Sequence, residues 1–295
     1  MFDTTRSNSS LHIARENKNG EFFMIADSIR IEMPNYIKCL KGKKVYIPNT
    51  KFTTELSQYD EFARYFATRS MIEKFGIKEL SYSYYNEFNQ FVLITFSMNC
   101  VVKEVMNAVA DDARLFPVYK QIDKVDVVIG NPAGDTMNEL FSYVMYSQKD
   151  YIFCSNINFL TTNIAFSAIH NNNIKFGVSQ PTKFFDANTQ KVVTFGNKIW
   201  ITSFDTGNTP DFLKTFYTFD SYDYEKFDNY DAICIKCIKM IPMDYDGVMG
   251  VPVSILPLLN LNQFEIIGFR KGIDGKDLSL NGKYTYTRVL VRFRR

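Results

Sequence analysis

Cysteine, histidine and long apolar runs are scarce in this chain of 295 residues. Its five cysteines are odd in number and scattered, which argues against a disulfide framework. With only His12 and His170 to draw on, the lone Cys234-x-x-Cys237 pair lacks the partners that zinc requires. It reads as the edge of a buried strand, and no metal site is expected. No apolar run approaches the roughly 18 residues that span a bilayer, and the chain opens on a polar stretch. Neither a membrane partner nor secretion is therefore expected; the cytoplasm, the nucleus or a viral factory is. Internal repeats and low-complexity linkers are also missing, so the two halves of the chain are expected to pack together.

What is abundant is aromatic: 27 Phe and 18 Tyr exclude a disordered chain. The length suffices for one large core or two modest ones. A net charge of +2 is uninformative, but its distribution is not. Between Asp220 and Gly247 seven acids face three bases, whereas between Glu265 and Arg295 eight bases face three acids. A basic end suits a polyanionic partner, although a solvated face is the commoner cause. Asp244-Tyr245-Asp246-Gly247 opens like a calcium loop, but no ligand set follows at the required spacing, so these read as solvated loop acids.

The organising stretch is Lys124 to Ser142. Val125, Val127, Val128 and Ile129 form a β-branched run suited to a strand buried on both faces. Gly130-Asn131-Pro132-Ala133-Gly134 breaks it, and Asp135 or Thr136 can cap a helix that buries Met137, Leu140, Phe141 and Val144. A turn so placed lies at the carboxyl end of a sheet, where open α/β folds bind ligands. Around it, Ile29 to Leu40 reads as a helix interrupted by Pro34, Val45 to Ile47 as a strand, and Phe62 to Phe75 as a helix stopped by Gly76. Leu80 to Tyr85 and Phe91 to Phe96 read as strands, Val101 to Ala110 as a helix, Tyr151 to Ser155 as a strand, and Phe159 to His170 as a helix. The alternation predicts a mostly parallel α/β sheet over residues 1–180. Residues 181–295 read as β-rich: Val192 to Phe195 and Lys198 to Ser203 flank Gly196-Asn197 as a hairpin would, and strands follow at Ala232 to Ile238, Phe264 to Phe269 and Tyr284 to Phe293.

The Asn-Pro turn suggests a chemistry. The exocyclic amine of adenine is a poor nucleophile because its lone pair is delocalised into the ring. An enzyme can localise that pair by accepting both amine hydrogens, on an Asn side-chain oxygen and the carbonyl of the next residue, while an aromatic ring clamps the extruded base. Asn131 and Pro132 supply the two acceptors. Taken alone, Asn-Pro after a strand is usually only a turn.

Other stretches add to it. Lys226-Phe227-Asp228-Asn229-Tyr230-Asp231-Ala232, Ile241-Pro242-Met243-Asp244-Tyr245-Asp246-Gly247-Val248-Met249-Gly250-Val251-Pro252, Gln263-Phe264-Glu265-Ile266-Ile267-Gly268, Asn281-Gly282-Lys283 and Arg288-Val289-Leu290-Val291-Arg292 together resemble the EcoRI-type adenine-specific DNA methyltransferases, the modification methylases. Lys18-Asn19-Gly20-Glu21-Phe22-Phe23 is similar to the family's Asp-Glu-Phe-Tyr-Thr opening, so the resemblance covers nearly the whole chain. It implies a class I, Rossmann-like S-adenosylmethionine-dependent fold, with a β-rich target-recognition region packed on it and DNA as substrate. It also implies a cofactor region formed by Glu21, Phe22, Phe23, Pro48, Asn49, Thr50 and Lys51. The basic side chains placed to meet DNA are Arg270, Lys271, Lys283, Arg288, Arg292, Arg294 and Arg295.

Three departures stand against this likeness. Ala133-Gly134 replaces the family's Pro-Phe, removing the stacking ring. Thr50 and Lys51 replace two acids expected to serve the cofactor, and a cation there would face a positively charged sulfonium. Gly20, Phe23 and Met24 replace Asp, Tyr and Thr in the opening motif. The favoured expectation is a degenerate site with no bound cofactor, on a non-catalytic subunit that binds DNA or braces an active methyltransferase as a heterodimer. One rival is an active, S-adenosylmethionine-dependent enzyme in which Asn131 and Pro132 suffice and Phe159 or Phe141 clamps the base. Another is a scaffold protein reusing the fold. Phe22, Phe23, Met24 and Phe52 are the candidates to plug the space between Pro48 and Asn131.

Overall fold

In a computed structural model, residues 22–48, 61–97, 100–108, 115–134, 136–186 and 189–294 are described. The chain divides into two compact units, Met1–Asn156 with Lys175–Thr206, and Ile157–Ile174 with Gly207–Arg295. The expected boundary at residue 180 therefore falls inside the first unit, and a short excursion through residues 157–174 belongs to the second.

The first unit contributes β1 (Phe22–Met24), β2 (Lys44–Pro48), β3 (Glu79–Tyr85), β4 (Gln90–Ser97), β5 (Val101–Ala108), β6 (Val127–Gly130), β7 (Asp150–Asn156), β8 (Lys175–Phe176), β9 (Lys183–Asp186), β10 (Lys191–Thr194) and β11 (Lys198–Thr202). Eight of these form one sheet in the order β5-β4-β3-β2-β6-β7-β11-β8. Only its middle, β3-β2-β6-β7, is parallel; both flanks are antiparallel. The mostly parallel sheet expected from the sequence is thus a mixed one. The reason is local. The Asn86 side-chain oxygen accepts from the Phe88 and Gln90 amides, closing a tight β3–β4 turn, and strands joined so tightly can only run antiparallel.

Two further expectations are corrected. Val101 to Ala108 is not helical but forms β5: Val101, Val102 and Val105 are β-branched, and the segment pairs with β4. Gly196-Asn197 does not close a hairpin either. β10 pairs with β9 in a small β1-β9-β10 sheet, while β11 inserts between β7 and β8 of the large one. Burying Trp200 and Ile201 in that slot outweighs the local turn signal.

Side chains of the parallel middle are buried on both faces, which is why Val45-Tyr46-Ile47 and Val127-Val128-Ile129 read as unbroken apolar runs. On one face Val45, Ile47, Val127 and Ile129 pack with Ile29, Met33 and Leu40 and with Phe66 and Phe75. These come from the helices α1 (Ala26–Glu32) and α2 (Ile37–Leu40), joined by a 3-10 turn begun at Met33-Pro34, and from α3 (Glu61–Phe66) and α4 (Arg69–Phe75). Thr68 caps α4 by accepting from the Met71 amide, and Gly76, at φ +62°, ends it in a conformation that other residues adopt at a cost. Tyr46 points to the opposite face and its hydroxyl is 2.5 Å from the Ser83 hydroxyl, while Gln121 of α5 (Leu115–Ile122) donates to Ser81. Helix α6 (Met137–Tyr146) follows β6 and buries Met137, Leu140, Phe141 and Val144, as its spacing predicts.

The second unit holds α7 (Asn163–His170), preceded by a 3-10 turn at Ile157–Thr161 and capped by Thr162. It also holds β12 (Ala232–Cys234), β13 (Val248–Pro252), β14 (Phe264–Phe269), the hairpin β15 (Ser279–Leu280) and β16 (Lys283–Tyr284), and β17 (Arg288–Phe293). The order of its sheet is β12-β13-β17-β14. Phe227, Ala232, Cys234, Leu278 and Leu290 form a core, so Cys234 is a buried apolar side chain on an edge strand, whereas Cys237 is exposed.

Candidate target-base turn and nucleic-acid interface

Strand β2 leads to β3 on one side of the sheet's centre and β6 leads to β7 on the other. The chain therefore reverses its direction of travel between β2 and β6, and the crevice outside their carboxyl ends is where such sheets take ligands. Those ends are Pro48 and Gly130. They approach closely enough that a Cβ on Gly130 would lie 3.7 Å from the Pro48 carbonyl oxygen. Two stretches singled out in the sequence, 82 positions apart at Pro48 and Gly130, thus meet at the switch point.

A third stretch joins them. The Asn131 amide nitrogen donates to the Phe22 carbonyl across 3.3 Å, which fixes the carboxamide and turns its oxygen away from that bond. The half-buried Asn131 thereby keeps an oriented acceptor, and the buried Pro132 follows it. Beyond them the turn is closed by the Thr136 amide and hydroxyl, both donating to Ala133 O at 3.2 Å. Thr136 occupies the cap of α6 without a side-chain cap bond, and Asp135 lies outside the described residues. Gly134 is exposed, its φ is not left-handed, and a Cβ built on it meets nothing within 4 Å.

Of the expected cofactor region, Phe23 is buried, Phe22 is half-buried with its ring 4.8 Å edge-on to Phe195, and Pro48 is buried. Met24 is a core side chain in the same cluster as Ile47 and Ile129. Glu21, Asn49, Thr50, Lys51 and Phe52 lie outside the described residues. Phe141 and Phe159, the rings considered as substitute clamps, are both buried, the first in the unit that holds Asn131 and the second in the other unit.

In the second unit most of the expected DNA-contacting cations already have partners. Arg270 forks onto Asp277 at 3.1 and 2.7 Å, and Lys271 reaches the same carboxylate at 2.8 Å. These two cations hold the Asp277 carboxyl down to about 2. Arg292 pairs with Glu265 at 2.9 Å, and Arg294 donates to the carbonyls of Leu261 and Phe264. Arg288 keeps its Nε buried without a hydrogen-bond partner, and Lys283 is exposed. Arg295 lies outside the described residues.

The profile of the adenine-specific methyltransferase EcoRI family matches residues 117–293, and its span includes the Asn131 turn and all the strands of the second unit. The chain is 30% identical to the Type II methyltransferase M.EcoRI of Escherichia coli, with 98% of each chain covered. The chain belongs to the EcoRI adenine-specific methyltransferase family. It is also similar to Type II methyltransferases of Mycoplasma genitalium (26% identity, 95% of this chain and 97% of the relative) and of Mycoplasma pneumoniae (M.MpnI; 24%, 95% and 97%).

Within this family member, the Phe22 carbonyl as the partner of Asn131 could not be foreseen, because 109 residues separate them and backbone atoms leave no signature in the sequence. A second feature was legible only as a motif. The Asp228 carboxylate accepts from the amides of Gly282 and Asn281, which with a hydrogen bond from the Ser279 side chain lowers its pKa. Asn229 donates to Asp274 and to the Asp277 carbonyl and accepts from the Ser279 amide. The Asp-Asn pair of the motif is an anchor for two loops.

Proposed function

We propose that this family member, on a class I S-adenosylmethionine methyltransferase fold, has lost its working base clamp and serves as a non-catalytic subunit that binds DNA or braces an active adenine methyltransferase. The observation that carries this reading is Gly134: an exposed backbone position with open space where the family pattern places a ring. Base–aromatic stacking contributes about 1–3 kcal/mol per base, and neither Phe141 nor Phe159 is exposed to replace it.

The cofactor side supports the same reading. In open α/β nucleotide sites an acid near the end of the second strand holds the ribose hydroxyls. Here β3 ends in Tyr85 followed by Asn86, whose carboxamide is spent on its own turn. Thr50 and Lys51, where the family pattern carries two acids, supply no carboxylate of their own, and no step is derived through S-adenosylmethionine.

A second reading has one observation in its favour. The bond from Asn131 to the Phe22 carbonyl leaves the Asn131 oxygen oriented as an amine acceptor, which an active enzyme requires. Transfer of a labelled methyl group from S-adenosylmethionine to duplex DNA separates the two. The proposal expects no transfer by the native chain. It expects gain in the Ala133→Pro/Gly134→Phe variant only if the cofactor still binds, which calorimetry reads independently. Transfer by the native chain that vanishes in Asn131→Ala overturns the proposal and establishes the active enzyme.

A further inference from the structure

We infer that the β15–β16 hairpin and the tyrosines that follow it, Lys283, Tyr284 and Tyr286, form a major-groove reading element for duplex DNA, held in a preset shape by Asp228 and Asn229. This rests on the DNA-binding part of the proposed function and adds two tyrosines to the cations expected to serve it.

The hairpin is built to stand out rigidly. Leu280 pairs with Lys283 across Asn281-Gly282, whose φ values of +50° and +73° are both left-handed, as a two-residue turn of this hand requires. Asp228 holds the tip by accepting from both turn amides, at 3.1 and 2.9 Å. Asn229 holds the base by accepting from the Ser279 amide, and Thr285 extends the ladder by donating its amide and hydroxyl to the Leu278 carbonyl. Leu278 and Leu280 pack inward with Phe227 and Leu290. On the alternate positions Tyr284 is 69% and Tyr286 89% exposed. Two large rings on a pinned ribbon stabilise nothing in this unit by burial, so they are available to a partner.

Charge and shape favour DNA as that partner. Residues 270–288 carry five cations against two carboxylates. Asp277 is occupied by Arg270 and Lys271, and Lys283, next in the chain to Tyr284, is an exposed cation of the hairpin. A two-stranded ribbon fits the major groove, and tyrosine can both hydrogen-bond base edges and pack on thymine methyl groups. The expected division of labour is that the rings supply contact area while Lys283 contributes one phosphate contact.

The test is fluorescence anisotropy of the full chain with a labelled duplex oligonucleotide across a salt series. The Tyr284→Ala/Tyr286→Ala double variant is expected to bind roughly tenfold or more weakly, with the slope against log salt unchanged. Lys283→Ala is expected to lower that slope by about 1. Both should melt at the native temperature, because these side chains are exposed. A double variant that binds as tightly as the native chain overturns the inference and leaves DNA binding itself standing. A native chain that binds no duplex even at low salt overturns the DNA reading of the proposed function, and this inference with it.

Discussion

The turn at Asn131–Gly134 and the anchor at Asp228-Asn229 are both short polar motifs that carry the family likeness, yet they are held in opposite ways. The first has one long-range side-chain bond, from Asn131 to the Phe22 carbonyl, and then an exposed glycine facing open space. In the second, the side chains of Asp228 and Asn229 make five hydrogen bonds to two loops, and Gly272 lies so close to Asn229 that a Cβ there would overlap its side chain and its carbonyl. The contrast separates two kinds of constraint. Nothing within 4 Å of a Cβ built on Gly134 ties that position to the rest of the fold. Asp228 and Asn229 are tied to it, because loops that would otherwise expose unpaired amides depend on them.

Measurements that would break the comparison follow from its energetics. Asn229→Ala removes three hydrogen bonds and is expected to destabilise the second unit by about 2–4 kcal/mol, read as a fall in the urea midpoint with an unchanged slope; a shift under about 1 kcal/mol would remove the anchor from the account. Gly272→Ala, which pushes a methyl group into Asn229, is expected to cost about 1–3 kcal/mol by the same measurement. Gly134→Ala has room and no left-handed φ to strain it, so it should stabilise by about 0.4–1 kcal/mol through the unfolded chain. Destabilisation there would mean that the turn is more constrained than its geometry implies.

Smaller effects sharpen the picture at the basic end. Arg292→Ala breaks a half-exposed pair with Glu265 and is expected to cost only about 0.2–1 kcal/mol, since water competes for both groups. Asp277 titrates lower in the folded chain, near 2, than its ordinary value of 3.8. The stability it contributes is therefore complete above about pH 4 and is lost as pH falls toward 2. Asp277→Asn should flatten the acid limb of the stability curve in that window and leave the neutral region nearly level with it; an unchanged acid limb would show that Arg270 and Lys271 do not hold the carboxyl in solution.

Much of this arrangement was legible in particular residues. The β-branched run at Val127 announced a doubly buried strand, Val45 to Ile47 a strand, Gly76 a helix end, and Gly130-Asn131-Pro132 a turn at a sheet's carboxyl edge. Where the reading failed, partners distant in sequence had overridden local pattern. Val101 to Ala108 has apolar residues at helical intervals, but pairing with β4 made it a strand. Gly196-Asn197 has hairpin chemistry, but the slot between β7 and β8 captured β11. The cations of the basic end were counted correctly as charges; their neutralisation by Asp277 and Glu265 depended on which loops come together.

The sequence by itself determined the family, the Asn131-Pro132 turn and the absence of an aromatic residue beside it, because features of that kind are written in residue identity. Only the tertiary structure decided that Pro48, Gly130 and the Phe22 carbonyl converge, and that Asp228 and Asn229 hold two loops together. Convergence depends on strand order and burial, which sum small contributions from the whole chain and leave no mark at any one position.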